Sequence, residues 1–147
     1  MSKILITGGA GYIGSVLTGM LLQRTNEVTV IDNLMYGQSS LTNLCSYKGF
    51  NFIEGDVRDK ALLEEQVKKH DVIIPLAAIV GFPACERDKQ LATAVNYEHV
   101  SDICKWASSN QKLIYPNTNS GYGVGEDDTL CTEETPLSPI SHYGVTK

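Results

Sequence analysis

Two side chains near the end of the sequence have the types and the spacing for proton transfer. Tyr143 and Lys147 are four residues apart, so they share one face if the segment is helical. An ordinary tyrosine has a pKa of about 10 and is a poor base at neutral pH, but a neighbouring ammonium group favours its phenolate form. The spacing therefore predicts a tyrosine base assisted by a lysine charge. By itself the pair is more typical of an exposed amphipathic helix, and only a second motif upstream strengthens the catalytic interpretation.

Three glycines near the start of the sequence have the spacing of a phosphate-binding turn. Gly8, Gly11 and Gly14 recur every third residue between a predicted strand and a predicted helix. In that context the first glycine permits a tight turn, the second lets a pyrophosphate approach, and the third lets helix and strand pack closely. The backbone amides of Tyr12 and Ile13 would then donate to the phosphates at the positive end of the helix. A glycine-rich turn without a ligand is the alternative.

An acidic residue ends the next predicted strand. Asp32 lies 18 residues beyond Gly14, where a carboxylate can accept hydrogen bonds from both ribose hydroxyls of an adenosine. A 2′-phosphate would bring negative charge against that carboxylate, and residues 33–37 contain no arginine to offset it. The pattern therefore predicts NAD rather than NADP as the cofactor. A lone aspartate after a strand is also a common turn or capping residue, which is the alternative here.

Two other strand ends carry weaker signals. Asp56 and Val57 follow a third predicted strand at a position suited to the edge of an adenine, although an acidic turn residue is nearly as common there. The segment Leu76, Ala77 and Ala78 ends a fourth predicted strand, and its small side chains would let a cofactor lie against the sheet. Ordinary packing of a helix on a sheet explains these small residues equally well.

Alternating strands and helices must position these residues. Apolar runs predict strands at 3–7, 27–32, 50–54, 72–76 and 112–115. Helical spacing of apolar residues predicts helices at 12–24, 59–69 and 88–108, and Asp59 is the expected cap of the second. This alternation predicts the α/β class, with a doubly wound parallel sheet and right-handed crossovers. We expect one domain over 1–147, a long polar loop at 121–139 and the start of a further helix at 141–147. We interpret the chain as a fragment that ends inside that helix.

Composition excludes several classes of partner. The 147 residues carry 12 basic and 17 acidic side chains, a net charge of −5, with no basic stripe that would indicate nucleic acid. No apolar run reaches the roughly 18 residues of a membrane helix, and the sequence does not begin as a signal peptide, so we expect no membrane and a cytoplasmic location. The cysteines, which are Cys45, Cys85, Cys104 and Cys131, have no C-x-x-C spacing. We therefore expect no metal and no disulfide framework.

Taken in order, these motifs resemble the extended short-chain dehydrogenase/reductase family, whose best-known members act on nucleotide-linked sugars. The resemblance is carried by Gly8 to Gly14, Asp32-Asn33-Leu34, Gly55-Asp56-Val57, Leu76-Ala77-Ala78, Asn96, Tyr115 to Gly123 and Tyr143-x-x-x-Lys147. It implies a Rossmann-type fold that binds NAD. It also implies that the residues contacting the cofactor include Asn33, Gly37, Asn96, Tyr143 and Lys147.

Members of this family carry a serine or threonine four residues before the tyrosine of a Tyr-Gly pair. Here the pair Tyr122-Gly123 gives that role to Thr118 by resemblance, and Tyr122 lies 21 residues before Tyr143, similar to the spacing in UDP-galactose 4-epimerase-like members. In the related 4,6-dehydratases an Asp-Glu pair follows the threonine and eliminates water. Asn119 and Ser120 stand at those positions in this chain, which disfavours dehydration.

The resemblance implies an oxidoreductase or epimerase that acts on a hydroxyl of a nucleotide-linked sugar. Tyr143 would be the base, Lys147 would assist it and hold the nicotinamide ribose, and Thr118 would position the hydroxyl. The alternative is an NAD-binding module or sensor without chemistry, because the part of the family fold that binds the sugar nucleotide would lie beyond Lys147. The family also often forms homodimers through helices beside the sheet. Which sugar, which nucleotide and which carbon take part stays open.

Overall fold

Five parallel strands form one sheet, in the spatial order β3-β2-β1-β4-β5, in a computed structural model that describes residues 1–24, 26–124 and 130–147. The strands are β1 (Lys3–Thr7), β2 (Glu27–Asp32), β3 (Phe50–Glu54), β4 (Val72–Pro75) and β5 (Lys112–Leu113). The prediction of a doubly wound α/β sheet is confirmed. β4 and β5 end earlier than expected, although the Ile114 amide still donates to the Ile73 carbonyl at 2.9 Å.

The number of helices differs from the prediction, whereas the number of strands does not. They are α1 (Tyr12–Leu22), α2 (Lys60–Val67), α3 (Phe82–Arg87), α4 (Lys89–Thr93), α5 (His99–Trp106) and α6 (His142–Thr146). The predicted helix at 88–108 is divided by a π-helical turn at Ala94–Glu98, and α3 was not predicted. Short 3-10 turns lie at Thr42–Leu44 and Asn119–Tyr122. Of the predicted polar loop at 121–139, residues 125–129 lie outside the described residues.

Two compact units make up the chain. The first, here called the sheet unit, comprises Met1–Ala77 and His99–Pro116. It contains all five strands together with α1, α2 and α5. The second unit comprises Ala78–Glu98 and Asn117–Lys147, and contains α3, α4, the π-helical turn and α6. In the described part of the chain, no helix is both long enough and apolar enough to cross a membrane.

The core of the sheet unit lies on both faces of the central strands. β1 and β2 are buried along almost their whole length, as expected for parallel strands that are covered on two sides. Ile4 and Ile6 of β1 pack in one apolar cluster with Leu22 of α1 and Leu44. Leu5 points to the opposite face, because side chains alternate along a strand. Its exposed fraction is 0%.

The apolar periodicity that predicts α1 marks its buried face only in part. Leu17 and Leu21 pack against the core cluster, but the other apolar positions of that pattern do not. Ile13, Val16 and Met20 are 60%, 62% and 53% exposed. The buried positions are instead Gly14, Thr18 and Leu22. The Thr18 hydroxyl donates to the Gly14 carbonyl at 2.7 Å, which satisfies its polar group inside the unit. Small residues on this face let α1 lie close to the turn that precedes it, and they leave an apolar stripe exposed.

Candidate functional site

The turn from Gly8 to Gly14, here called the glycine turn, begins between two strands. The Gly8 amide donates to the Ile31 carbonyl of β2 at 2.8 Å, and the Leu76 amide donates to the Thr7 carbonyl at 2.9 Å. Gly8 has φ +72°, and a Cβ there would lie 2.4 Å from the Ala77 backbone nitrogen. Only glycine fits this combination of a left-handed backbone and a close neighbour. The turn therefore leaves the carboxyl end of β1 next to β4, where the strand order reverses, which is the position that accepts ligands in open α/β sheets.

The rest of the glycine turn leads into an uncapped helix. Gly11 is the N-cap of α1. Within the ranges that the structure describes, no side chain caps the helix by accepting a hydrogen bond from the amides of its first turn. A Cβ on Gly11 would meet only the Gly8 carbonyl oxygen, at 3.3 Å, whereas a Cβ on Gly14 would lie 2.6 Å from the Gly9 Cα. Tyr12 is 93% exposed. The turn thus presents amide donors and the positive end of a helix dipole on an open side, which is the chemistry that binds phosphate.

Asp32 lies at the end of β2 and holds the glycine turn in place. Its Oδ2 accepts a hydrogen bond from the Ala10 amide at 2.9 Å, and its Oδ1 accepts one from the Leu34 amide, also at 2.9 Å. The side-chain amide of Gln38 donates to the same Oδ1 at 3.4 Å. The residue is only 8% exposed. A carboxylate oxygen can accept more than one hydrogen bond, so Asp32 keeps capacity for a further donor.

Asn33, Asp56 and Arg58 form a polar group beside Asp32. The Arg58 guanidinium donates to both carboxylate oxygens of Asp56, at 2.9 and 2.7 Å, and Asn33 Nδ2 donates to Oδ2 at 3.3 Å. The hydrogen bond from Arg58 is the main cause that lowers the pKa of Asp56 to about 2. The following residue, Val57, is 7% exposed. Asp56 is therefore ionised and fixed in orientation by Arg58.

The sequence pattern did not reveal every residue that shapes the glycine turn. The Ser40 hydroxyl donates to the Ala10 carbonyl at 2.6 Å, which ties a distant loop to the turn. In that loop, Gly37 has φ +64° and open space where a Cβ would stand. No motif marks Ser40, because a single serine in a polar connection is too common to be informative.

In the second unit, Thr118 begins the short 3-10 turn at Asn119–Tyr122. Its Oγ1 accepts a hydrogen bond from the Ser120 amide at 3.2 Å, and the same hydroxyl donates to Ser120 Oγ at 3.2 Å. The Thr118 amide in turn donates to Asn117 Oδ1 at 2.7 Å. The hydroxyl of Thr118 is therefore oriented by its own turn and remains partly exposed.

Tyr143 lies on α6, and Lys147 is the C-cap residue directly after the helix. Ser141 caps the helix, because its Oγ accepts from the Gly144 amide at 3.0 Å, and the Lys147 amide donates to the Tyr143 carbonyl at 3.1 Å. Burial lowers the pKa of the Lys147 ammonium below its usual value. A Cβ on Gly144 would lie 2.6 Å from the Ser120 carbonyl oxygen. This glycine lets α6 lie directly against the turn that carries Thr118.

Asn96, in the π-helical turn, makes several buried hydrogen bonds within the second unit. Its Oδ1 accepts from the Ile79 amide at 2.8 Å, and its Nδ2 donates to the Ile79 carbonyl at 3.0 Å and to Thr146 Oγ1 at 3.3 Å. Asn96 is 1% exposed. Its amide therefore joins the segment after β4 to the residue directly before Lys147. The neighbouring Ala78 is half-buried.

Among the described residues, no group of three or more His, Cys, Asp or Glu side chains could hold a metal ion. Cys45, Cys104 and Cys131 are exposed thiols and Cys85 is a buried one.

Comparisons with known proteins agree with this geometry. Residues 4–147 match the model of the NAD dependent epimerase/dehydratase family. A dTDP-glucose 4,6-dehydratase from an Actinoplanes species is 40% identical over 157 residues, covering 99% of this chain and 48% of that protein. A UDP-glucose 4-epimerase from Corynebacterium glutamicum is 32% identical over 153 residues, covering 99% of this chain and 43% of that protein.

A solved structure shows the same fold. The dTDP-glucose 4,6-dehydratase DesIV from Streptomyces venezuelae, with NAD bound, superposes with a TM-score of 0.88 at 28% identity, and the match covers 99% of this chain and 48% of that one. The chain therefore spans less than half the length of each of these proteins.

Proposed function

Because the chain belongs to the NAD dependent epimerase/dehydratase family, we propose that it is the NAD-binding part of an oxidoreductase or epimerase acting on a hydroxyl of a nucleotide-linked sugar. The observation that carries the proposal is the close contact between α6 and the turn of Thr118. That contact brings the helix of Tyr143 and Lys147 against a hydroxyl-bearing turn within one compact unit. A protein that only binds a nucleotide does not need this combination of side chains, so their presence together supports an enzyme over a binding module.

Several residues of the sheet unit would hold NAD. The amides of the glycine turn and of the first turn of α1 would donate to the pyrophosphate, and the open side of Gly11 leaves room for it. Asp32 would accept from the adenosine ribose, and Asp56 and Val57 would lie at the adenine. When bound, NAD would supply the redox chemistry, as the group that accepts a hydride and can return it.

The residues of the second unit would manage the proton of the sugar hydroxyl. Tyr143 would remove it, and the Lys147 ammonium would favour the phenolate and hold the nicotinamide ribose. The Thr118 hydroxyl would orient the substrate oxygen. Asn96 would contribute by fixing the residue before Lys147, through its hydrogen bond to Thr146.

The reaction that we propose ends either as epimerisation or as release of the ketone. Relatives of this chain include dehydratases as well as epimerases. Elimination of water needs a general acid and a general base next to the substrate. The residues that follow Thr118 are Asn119 and Ser120, neither of which carries a carboxylate, and this supports a reaction without dehydration.

The test is to supply NAD and a panel of UDP- and dTDP-linked sugars to the purified natural gene product. We expect NAD binding by calorimetry, and either NADH formation or a change in sugar stereochemistry detected by NMR. A loss of water from the sugar would favour dehydratase chemistry instead. NAD binding without turnover of any sugar would favour a binding module, and no NAD binding at all would contradict the proposal.

A further inference from the structure

Two buried histidine–threonine pairs lie on the same face of the sheet in the sheet unit. His99 Nε2 is 3.1 Å from Thr7 Oγ1, and His70 Nε2 is 2.8 Å from Thr29 Oγ1. Thr29 pairs with Leu5 in the β1–β2 ladder, and Thr7 is two residues further along β1, so both hydroxyls point to one face. The pairs differ in their position along the strands. Thr29 lies within β2, whereas Thr7 is the last residue of β1, directly before the glycine turn.

The backbone of Thr7 is held by neighbouring strands, and its side chain is held by α5. The Leu76 amide donates to the Thr7 carbonyl, and the next amide, that of Gly8, donates to Ile31. Thr7 is 0% exposed and His99 is 2% exposed. A buried hydroxyl that loses its partner carries the full desolvation penalty, so the Thr7 hydroxyl strongly prefers the rotamer that reaches His99.

The residue that follows Thr7 has no room to adjust. Gly8 is left-handed, and it lies so close to the segment that follows β4 that a Cβ would stand 2.4 Å from the Ala77 nitrogen. Gly8 therefore has little freedom to absorb a shift at the end of β1, and such a shift would displace the amides further along the turn, at Gly11 and Tyr12. We propose that His99 is a positioning residue for the glycine turn and acts through the Thr7 hydroxyl. The inference rests on the proposed function, because it assumes that the turn holds the phosphates of NAD.

The test compares the two histidine–threonine pairs in the natural gene product. Thr7→Val removes the hydroxyl from a side chain of nearly the same shape, and we expect it to weaken NAD binding roughly fivefold to tenfold. Thr7→Ser keeps the hydroxyl and should restore most of the affinity. The matched control Thr29→Val removes the hydroxyl of the other pair, and we expect it to lower stability in urea while leaving NAD affinity unchanged.

Further variants separate positioning from a purely structural role. We expect His99→Leu to weaken NAD binding as Thr7→Val does, and the double variant to be no weaker than either single variant, because both remove one interaction. His70→Leu should not change NAD affinity. Equal NAD affinities of Thr7→Val and Thr29→Val, measured where both are folded, would overturn the inference. A native protein that does not bind NAD would instead overturn the proposed function, and the inference with it.

Discussion

The carbonyl oxygen of Ser120 lies 2.6 Å from the position that a Cβ on Gly144 would occupy. Real side chains do not tolerate so short a contact with backbone, so a glycine is needed where α6 meets the turn that follows Thr118. The nearest atom of any other residue is Pro139 Cβ, which lies 3.1 Å from the same position. Both contacts lie in the second unit, and together they fix the helix that carries Tyr143.

We expect Gly144→Ala to lower kcat about tenfold to a hundredfold, because the added methyl group must push α6 away from Ser120. NAD affinity should fall less than kcat, because the glycine turn and Asp32 are left intact. The measurement is steady-state turnover of the sugar identified in the panel. Val145→Ala is the matched control on the same helix, since Val145 is 61% exposed and shortening it should disturb the packing of α6 little. An equal effect of the two substitutions would show that the contact with Ser120 is unimportant.

Tyr143→Phe removes the phenol oxygen and keeps the ring. We expect turnover to fall by roughly 10² to 10⁴ while NAD binding is preserved, since only proton transfer is lost. The comparison is Tyr97→Phe, because Tyr97 is 58% exposed and has no proposed role. Near-normal turnover in Tyr143→Phe would remove Tyr143 from the mechanism.

Asp32→Asn removes a negative charge and keeps one oxygen that can accept a backbone hydrogen bond. We expect the preference for NAD over NADP to fall, because a 2′-phosphate no longer meets a carboxylate. The dissociation constants of both cofactors are the measurement. Asp71→Asn is the control, because the Asp71 carboxylate also accepts from a backbone amide, that of Lys3 at 2.8 Å, but at the other end of the strands. Unchanged discrimination in Asp32→Asn would show that Asp32 only shapes the turn.

His70 should make stability depend on pH. Burial lowers the pKa of His70 below its usual value of 6.5, so the unfolded chain takes up this proton at a higher pH than the folded chain does. Above about pH 6.5, His70 is neutral in both states and the folded protein keeps the whole of this contribution to its stability. As the pH falls from about 6.5 to the lower pKa of the folded state, the free energy of unfolding decreases. Urea unfolding between about pH 7.5 and about pH 5 measures the slope.

The hydrogen bonds of His70 determine which tautomer its neutral ring adopts, whereas burial is what favours the neutral form. Nδ1 lies 2.6 Å from the Gln66 carbonyl, which can only accept, so Nδ1 carries the proton and Nε2 accepts from the Thr29 hydroxyl at 2.8 Å. In His70→Gln the stability should be lower at neutral pH and should vary less with pH. The same pH slope in both proteins would mean that another group is responsible.

The strands were the part of the fold that the sequence predicted best. β1, β2 and β3 have the predicted bounds because each is a short apolar run closed by glycine or acidic residues. The π-helical turn inside the predicted helix at 88–108 was missed, since one extra residue in a turn barely changes the apolar spacing. α3 was missed because a six-residue helix beginning at Phe82-Pro83 offers too little periodicity.

The residues of the candidate site were predictable where their position depends on neighbours that are close in the sequence. The glycine turn and Asp32 follow from strand ends, and Tyr143 and Lys147 from helical spacing. The contacts of Asn96 were not predictable, because Ile79 and Thr146 are 17 and 50 residues away in the chain. Tertiary packing alone brings such partners together, and no spacing rule describes it.

The two hydrogen bonds that Asp32 accepts from the Ala10 and Leu34 amides join protein groups only and need no ligand atom. The conformational entropy of these two segments is therefore lost when the protein folds, and binding a ligand does not require a second loss. A ligand of the glycine turn would meet a surface that is already in its final shape. Calorimetry of its binding should accordingly show a small conformational entropy term, and association should be governed by diffusion and not by a rearrangement of the loop.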